Sequence, residues 1–95
     1  AAQRQMEQCW QLPAGTRGVD AVRPFDVNVK LNPDGTARAV ALLSQPSGGE
    51  AAVTRVVAES AQRAAWSCRL SLPPELYAQW REITFVFDPK RAVTG

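Results

Sequence analysis

The stretch FDVNVKL–NPDG–TARAVALL, at positions 25–43, constrains the fold more than any other part of the chain. Phe25, Val27, Val29 and Leu31 alternate with Asp26, Asn28 and Lys30, the period of a strand with one buried face. In Asn32–Pro33–Asp34–Gly35, proline presets φ at the second position, aspartate suits the third, and glycine accepts a positive φ. This is the chemistry of a type I turn closed by a glycine bulge, a common hairpin loop. The loop pairs Asn32 with Thr36. A regular ladder then pairs Leu31–Ala37, Val29–Ala39, Val27–Ala41 and Phe25–Leu43 on the core face. The other face carries Lys30–Arg38, Asn28–Val40 and Asp26–Leu42. A slip of one residue would carry Asn and Lys inward, so this register is the expectation.

Around the hairpin the elements fall in order. Residues 2–11 are strong helix formers, with Met6, Cys9 and Trp10 on one face, and Pro13 and Gly15 stop the helix. A second helix runs from about Glu50 to Ser67, with Val53, Val56, Val57, Ser60, Ala61, Ala64 and Ala65 on its inner face. Ser47 and Glu50 have capping-box spacing before it. A short helix follows Pro73–Pro74. Glu82–Asp88 then reads as a strand, with Ile83, Phe85 and Phe87 on one side and Thr84 and Val86 on the other. Pro89 ends it, and the tail 90–95 is expected to fray. The 95 residues give one domain, 1–95, of the α+β class. The expected architecture is a three-stranded antiparallel sheet in order 2-1-3, with helices on one face.

The chain has no histidine, which removes His-based acid–base catalysis, His-containing triads and nearly every zinc site. No phosphate-binding glycine motif is present. The expectation is a protein that is not an enzyme and needs no cofactor or metal. Eleven Lys and Arg against nine Asp and Glu give a net charge of +2, too even and too scattered for a dedicated nucleic-acid binder. Trp10 and Trp80 read as core plugs. Cys9 and Cys68 either form a disulfide that staples the first helix to the body or stay as two small buried thiols; their spacing does not decide. Opening Ala1–Ala2–Gln3, without an initiator methionine, the chain reads as a segment of a longer protein.

The last strand is the strongest candidate for function. Ile83, Thr84, Phe85, Val86 and Phe87 form an uncharged, β-prone edge, a liability unless it is covered or used. Capture of a partner segment as an added strand is one use. The competing reading is an edge shielded by the tail or by self-association.

Cys9–Trp10 with Pro13–Ala14–Gly15, then VNVKLNPDGTARAVAL, an alanine-rich helix, LPPELYAQW and ITFVFDP form an ordered set. It resembles the C-terminal domain of TolA, most closely of the alphaproteobacterial type, over about residues 3–89. The resemblance implies a periplasmic domain carried by an upstream transmembrane helix and stalk. It implies coupling of the TolQ–TolR inner-membrane motor to TolB and Pal at the outer membrane, in support of envelope constriction. Colicins and filamentous phage coat proteins exploit such domains. The resemblance also implies partner docking along Ile83, Thr84, Phe85, Val86 and Phe87, and a Cys9–Cys68 disulfide in an oxidising compartment. The related TonB C-terminal domain, which serves outer-membrane transporters, usually has Tyr-Pro before the first strand and Ser-Ser-Gly after the second. Arg23–Pro24 and Ser47–Gly48–Gly49 stand there in this chain, and the cysteines and the Cys-Trp helix favour TolA. A TonB-type transducer and a small nucleic-acid-binding α+β domain are the alternatives.

Overall fold

In a computed structural model, which describes residues 2–13 and 15–94, the order is helix α1 (Ala2–Cys9), strand β1 (Gln11–Leu12), strands β2 (Phe25–Leu31) and β3 (Ala37–Leu42), helix α2 (Ala51–Ser67), helix α3 (Tyr77–Trp80), strand β4 (Glu82–Phe87) and strand β5 (Val93–Thr94). Single 3-10 turns cover Val19–Ala21, Pro74–Leu76 and Pro89–Arg91. The chain is α+β, with a three-stranded antiparallel sheet ordered β3-β2-β4.

The core lies between this sheet and α1 and α2. Phe25, Val27, Val29 and Leu31 are all buried, as the alternation in β2 requires. They meet Phe85 and Phe87 from β4 and Val57, Ala61, Ala64 and Ala65 from α2. Trp10 is fully buried and packs edge-on against Phe25 and Phe87, which stack on each other across the β2–β4 pair. Trp80 is also buried and donates to the Pro73 carbonyl at 2.7 Å.

The hairpin loop forms as the turn chemistry dictates. Gly35 has φ +88°, its N–H donates to Asn32 O at 2.9 Å, and Asn32 N–H donates to Thr36 O at 2.8 Å. Beyond Leu31–Ala37 the expected ladder is overturned. A bulge leaves Arg38 unpaired, and Lys30, Val29, Asn28 and Val27 then face Ala39, Val40, Ala41 and Leu42. Only β3 is inverted by the bulge, so β2 keeps its faces. Val40 and Leu42 turn toward the core, while Ala39, Ala41 and Leu43 are exposed. The larger side chains bury more apolar surface than alanines would, which favours the bulged register.

Three further expectations are corrected. Helix α1 ends at Cys9, because Trp10 turns into the core and residues 11–12 leave to pair in parallel with β5. The tail is ordered through Thr94: the Asp88 carboxylate accepts from Lys90 N–H, Pro89 is buried, and β5 pairs with β1. The position of Gly95 lies outside the described residues. The Ser47–Glu50 capping box does not form; Glu50 is the N-cap and makes no side-chain cap bond. Instead the Ser47 carbonyl accepts from Arg23 N–H at 2.8 Å. A Cβ on Gly48 would collide with the Ala21 carbonyl and one on Gly49 with Val22, so this loop is held flat against residues 21–23.

Candidate functional site: the sheet edges

Cys9 and Cys68 are joined by a disulfide spanning a sequence separation of 59. The bond ties the end of α1 to the end of α2. The glutamines of α1 reach two other parts of the fold. Gln5 donates to Ser71 O at 3.0 Å and accepts from Ser71 N–H at 2.7 Å. Gln3 donates to Val86 O at 2.7 Å and accepts from Val86 N–H at 3.2 Å. Each carboxamide thus engages one backbone residue as a neighbouring strand would.

Order β3-β2-β4 leaves β4 as one edge and β3 as the other. In an antiparallel ladder, successive residues direct their backbone groups to opposite sides. Val86 bonds outward to Gln3, so Glu82 and Thr84 also point outward, while Ile83, Phe85 and Phe87 bond to β2. The five residues expected along this edge therefore divide. Ile83, Phe85 and Phe87 face the core and supply the inward ladder. Thr84 and Val86 are exposed and supply the free edge. Thr84 Oγ1 accepts from Asn28 Nδ2 at 3.1 Å, which fixes its side chain on the open face of the sheet. Among the described residues, the outward backbone groups of Glu82 and Thr84 have no hydrogen-bond partner.

The β3 edge was missed from sequence. The same alternation directs the backbone groups of Val40 and Leu42 outward, and they have no partner among the described residues. A groove of about 350 Å³ lies beside this edge, lined by Leu42, Gln45 and Pro46 and by Ala51, Thr54, Arg55, Ala58, Glu59 and Gln62. The signal available in sequence was topological: a 2-1-3 order exposes the second hairpin strand as surely as the last.

The electrostatics are mild. Asp34 accepts from the Thr36 hydroxyl at 2.6 Å and from Thr36 N–H at 3.0 Å, and these bonds hold its carboxyl below its ordinary value of 3.8. Among the described residues, Glu7–Arg91 at 3.8 Å is the one ion pair, and no group of three or more His, Cys, Asp or Glu is placed to hold a metal ion. No protein-family model, curated protein or solved structure matches the chain.

Proposed function

We propose that this domain is a non-enzymatic adaptor that captures an extended segment of a partner protein as an added strand. The unpartnered, outward-facing backbone of Thr84 on β4 carries this reading. An added strand would satisfy those groups with main-chain hydrogen bonds, each worth about 0.5–1.5 kcal/mol net. The open face around it is polar at Asn28 and Thr84 and apolar at Val86, so side chains of the added strand would meet both kinds of surface.

The sequence resemblance supplies the setting. In that setting the domain is a TolA-type periplasmic module that couples the TolQ–TolR motor to TolB and Pal, and colicins and filamentous phage would exploit the same surface. A pull along the strands would load the added ladder in shear. The Cys9–Cys68 disulfide is compatible with an oxidising compartment and so supports this reading.

The test is calorimetric titration of purified TolB into the wild-type domain, Thr84→Pro and Leu42→Pro. Proline removes one outward N–H from β4 or from β3 while sparing the inward ladder. Binding by wild type and its loss in folded Thr84→Pro is the expected result. Loss only in Leu42→Pro would move the site to β3. Unchanged binding in both variants would sink strand addition.

A further inference from the structure

We infer that α1 is a built-in occupant of the β4 edge, and that the Gln3 carboxamide must be displaced before a partner strand can run the length of β4. The inference rests on the adaptor reading for its partner, and on hydrogen-bond geometry for its device.

The Gln3 carboxamide is fully committed. Its amino group donates to Val86 O at 2.7 Å and to Glu7 Oε2 at 3.1 Å, and its oxygen accepts from Val86 N–H at 3.2 Å. Two of its three partners are pure acceptors and the third is a pure donor, so only one orientation of the amide satisfies them all. Glu7 is itself 3.8 Å from the Arg91 guanidinium. The contact at Val86 therefore sits at the end of a chain, Arg91–Glu7–Gln3–Val86, that links the C-terminal 3-10 turn, α1 and β4.

A primary amide offers a donor and an acceptor side by side, which is what a residue of an added strand presents to Val86. Gln3 thus stands in for one residue of a strand. It closes the edge at Val86 and leaves Thr84 and Glu82 open. An incoming segment can seat on the open part first and reaches Val86 only by exchanging its own backbone for the Gln3 amide. Because α1 is anchored by the buried Met6 and by the Cys9–Cys68 bond, the first turn can swing away while the helix stays attached. The binding-competent edge is then a fraction of the population, and apparent affinity falls by that fraction.

The experiment uses Gln3→Ala and Gln3→Glu in the disulfide-bonded protein. Alanine suits a helix and makes neither bond to Val86; glutamate can still accept from Val86 N–H but cannot donate to the Val86 carbonyl, and it faces Glu7. Amide exchange of the free protein reads the contact directly. Val86 should exchange faster by roughly tenfold or more in Gln3→Ala, which removes the acceptor of its N–H, and less so in Gln3→Glu, which keeps one, with Phe85 and Phe87 unchanged. TolB titration of Gln3→Ala reads the consequence, a tightening of roughly 5- to 150-fold, the factor two net amide bonds allow. Unchanged Val86 exchange in Gln3→Ala would overturn the occupant, whatever TolB does. Faster exchange with equal or weaker TolB binding would overturn the competition. If TolB binds neither wild type nor variants, the adaptor reading falls and the competition falls with it, while the Val86 exchange rate still decides whether Gln3 closes the edge.

Discussion

The indole N–H of Trp10 donates to Ser60 Oγ at 2.8 Å, and both side chains are sealed from solvent. The Ser60 hydroxyl donates onward to the Val57 carbonyl at 2.7 Å. One small polar residue on α2 thereby satisfies the one polar atom of the largest buried side chain.

Replacing that residue isolates the indole. Ser60→Ala leaves a buried N–H without a partner, and stability should fall by about 1–3 kcal/mol. Urea unfolding followed by Trp fluorescence checks this, with the slope unchanged and the midpoint lowered. A midpoint equal to wild type would show that the bond contributes nothing.

Gly35 is irreplaceable for two separate reasons. Its φ of +88° disfavours L side chains, and a Cβ there would run into the Leu70 carbonyl, which stands close because Leu70 N–H donates to Gly35 O at 3.0 Å. Gly35→Ala should cost more than about 2 kcal/mol, above the usual cost of a positive-φ substitution alone. Thermal unfolding of the variant tests it.

Asp34 makes the hairpin loop sensitive to acid. Its carboxyl titrates below its ordinary value because Thr36 donates to it twice. A folded pKa below the unfolded one means that this contribution is complete above the unfolded value and fades as pH falls through the folded one. Carboxyl-detected NMR titration should place Asp34 below 3.8 in the wild type and return it toward that value in Thr36→Val. An unshifted wild-type titration would contradict the loop geometry.

The disulfide closes a loop of about 60 residues, for which the chain-entropy view gives a stabilisation of about 4 kcal/mol. Helix α1, at eight residues, is too short to persist undocked. Replacing both cysteines by serine should lower stability by about 3–4 kcal/mol. It should also make the glutamines of α1 exchange with solvent before the sheet opens. Hydrogen exchange at Ser71 and Val86, the residues that Gln5 and Gln3 bind, reports this order.

Deleting Arg38 should remove the bulge and keep the core. In the shortened chain Ala39 follows Ala37 directly, and a regular ladder still sets Val40 against Val29 and Leu42 against Val27. Stability within about 1 kcal/mol of wild type is expected, in line with other surface changes. Cross-strand NOEs for those two pairs would confirm the register; their loss would mean the bulge itself is required.

That bulge also marks where sequence reasoning stops. In β2, Asp26, Asn28 and Lys30 cannot turn inward, so its faces are legible from alternation alone. In β3, Ala39 and Ala41 alternate with Val40 and Leu42, and either set could be buried without burying a charge. The choice is made by the volume available beneath α2, a property of packing that alternation does not record. The last short helix and the last strand are legible because Pro74 and Pro89 punctuate them, and α2 because its apolar face repeats with helical period. The β1–β5 pair is not: two residues on each side carry no period. The Gln3 contact was equally hidden, since a glutamine on a helix looks like any solvated polar residue until the strand it meets is known.

The disulfide has a consequence for how far this domain can be stretched. With Cys9 fixed to Cys68, tension applied to α1 bypasses everything between them, including β2, β3 and α2. Some 59 residues, roughly 200 Å of extended chain at about 3.4 Å each, cannot be paid out while the bond holds. Only the segments outside the loop, β4 and β5 among them, can lengthen. An oxidised domain would show a short unfolding step under load and a reduced one a step longer by that contour.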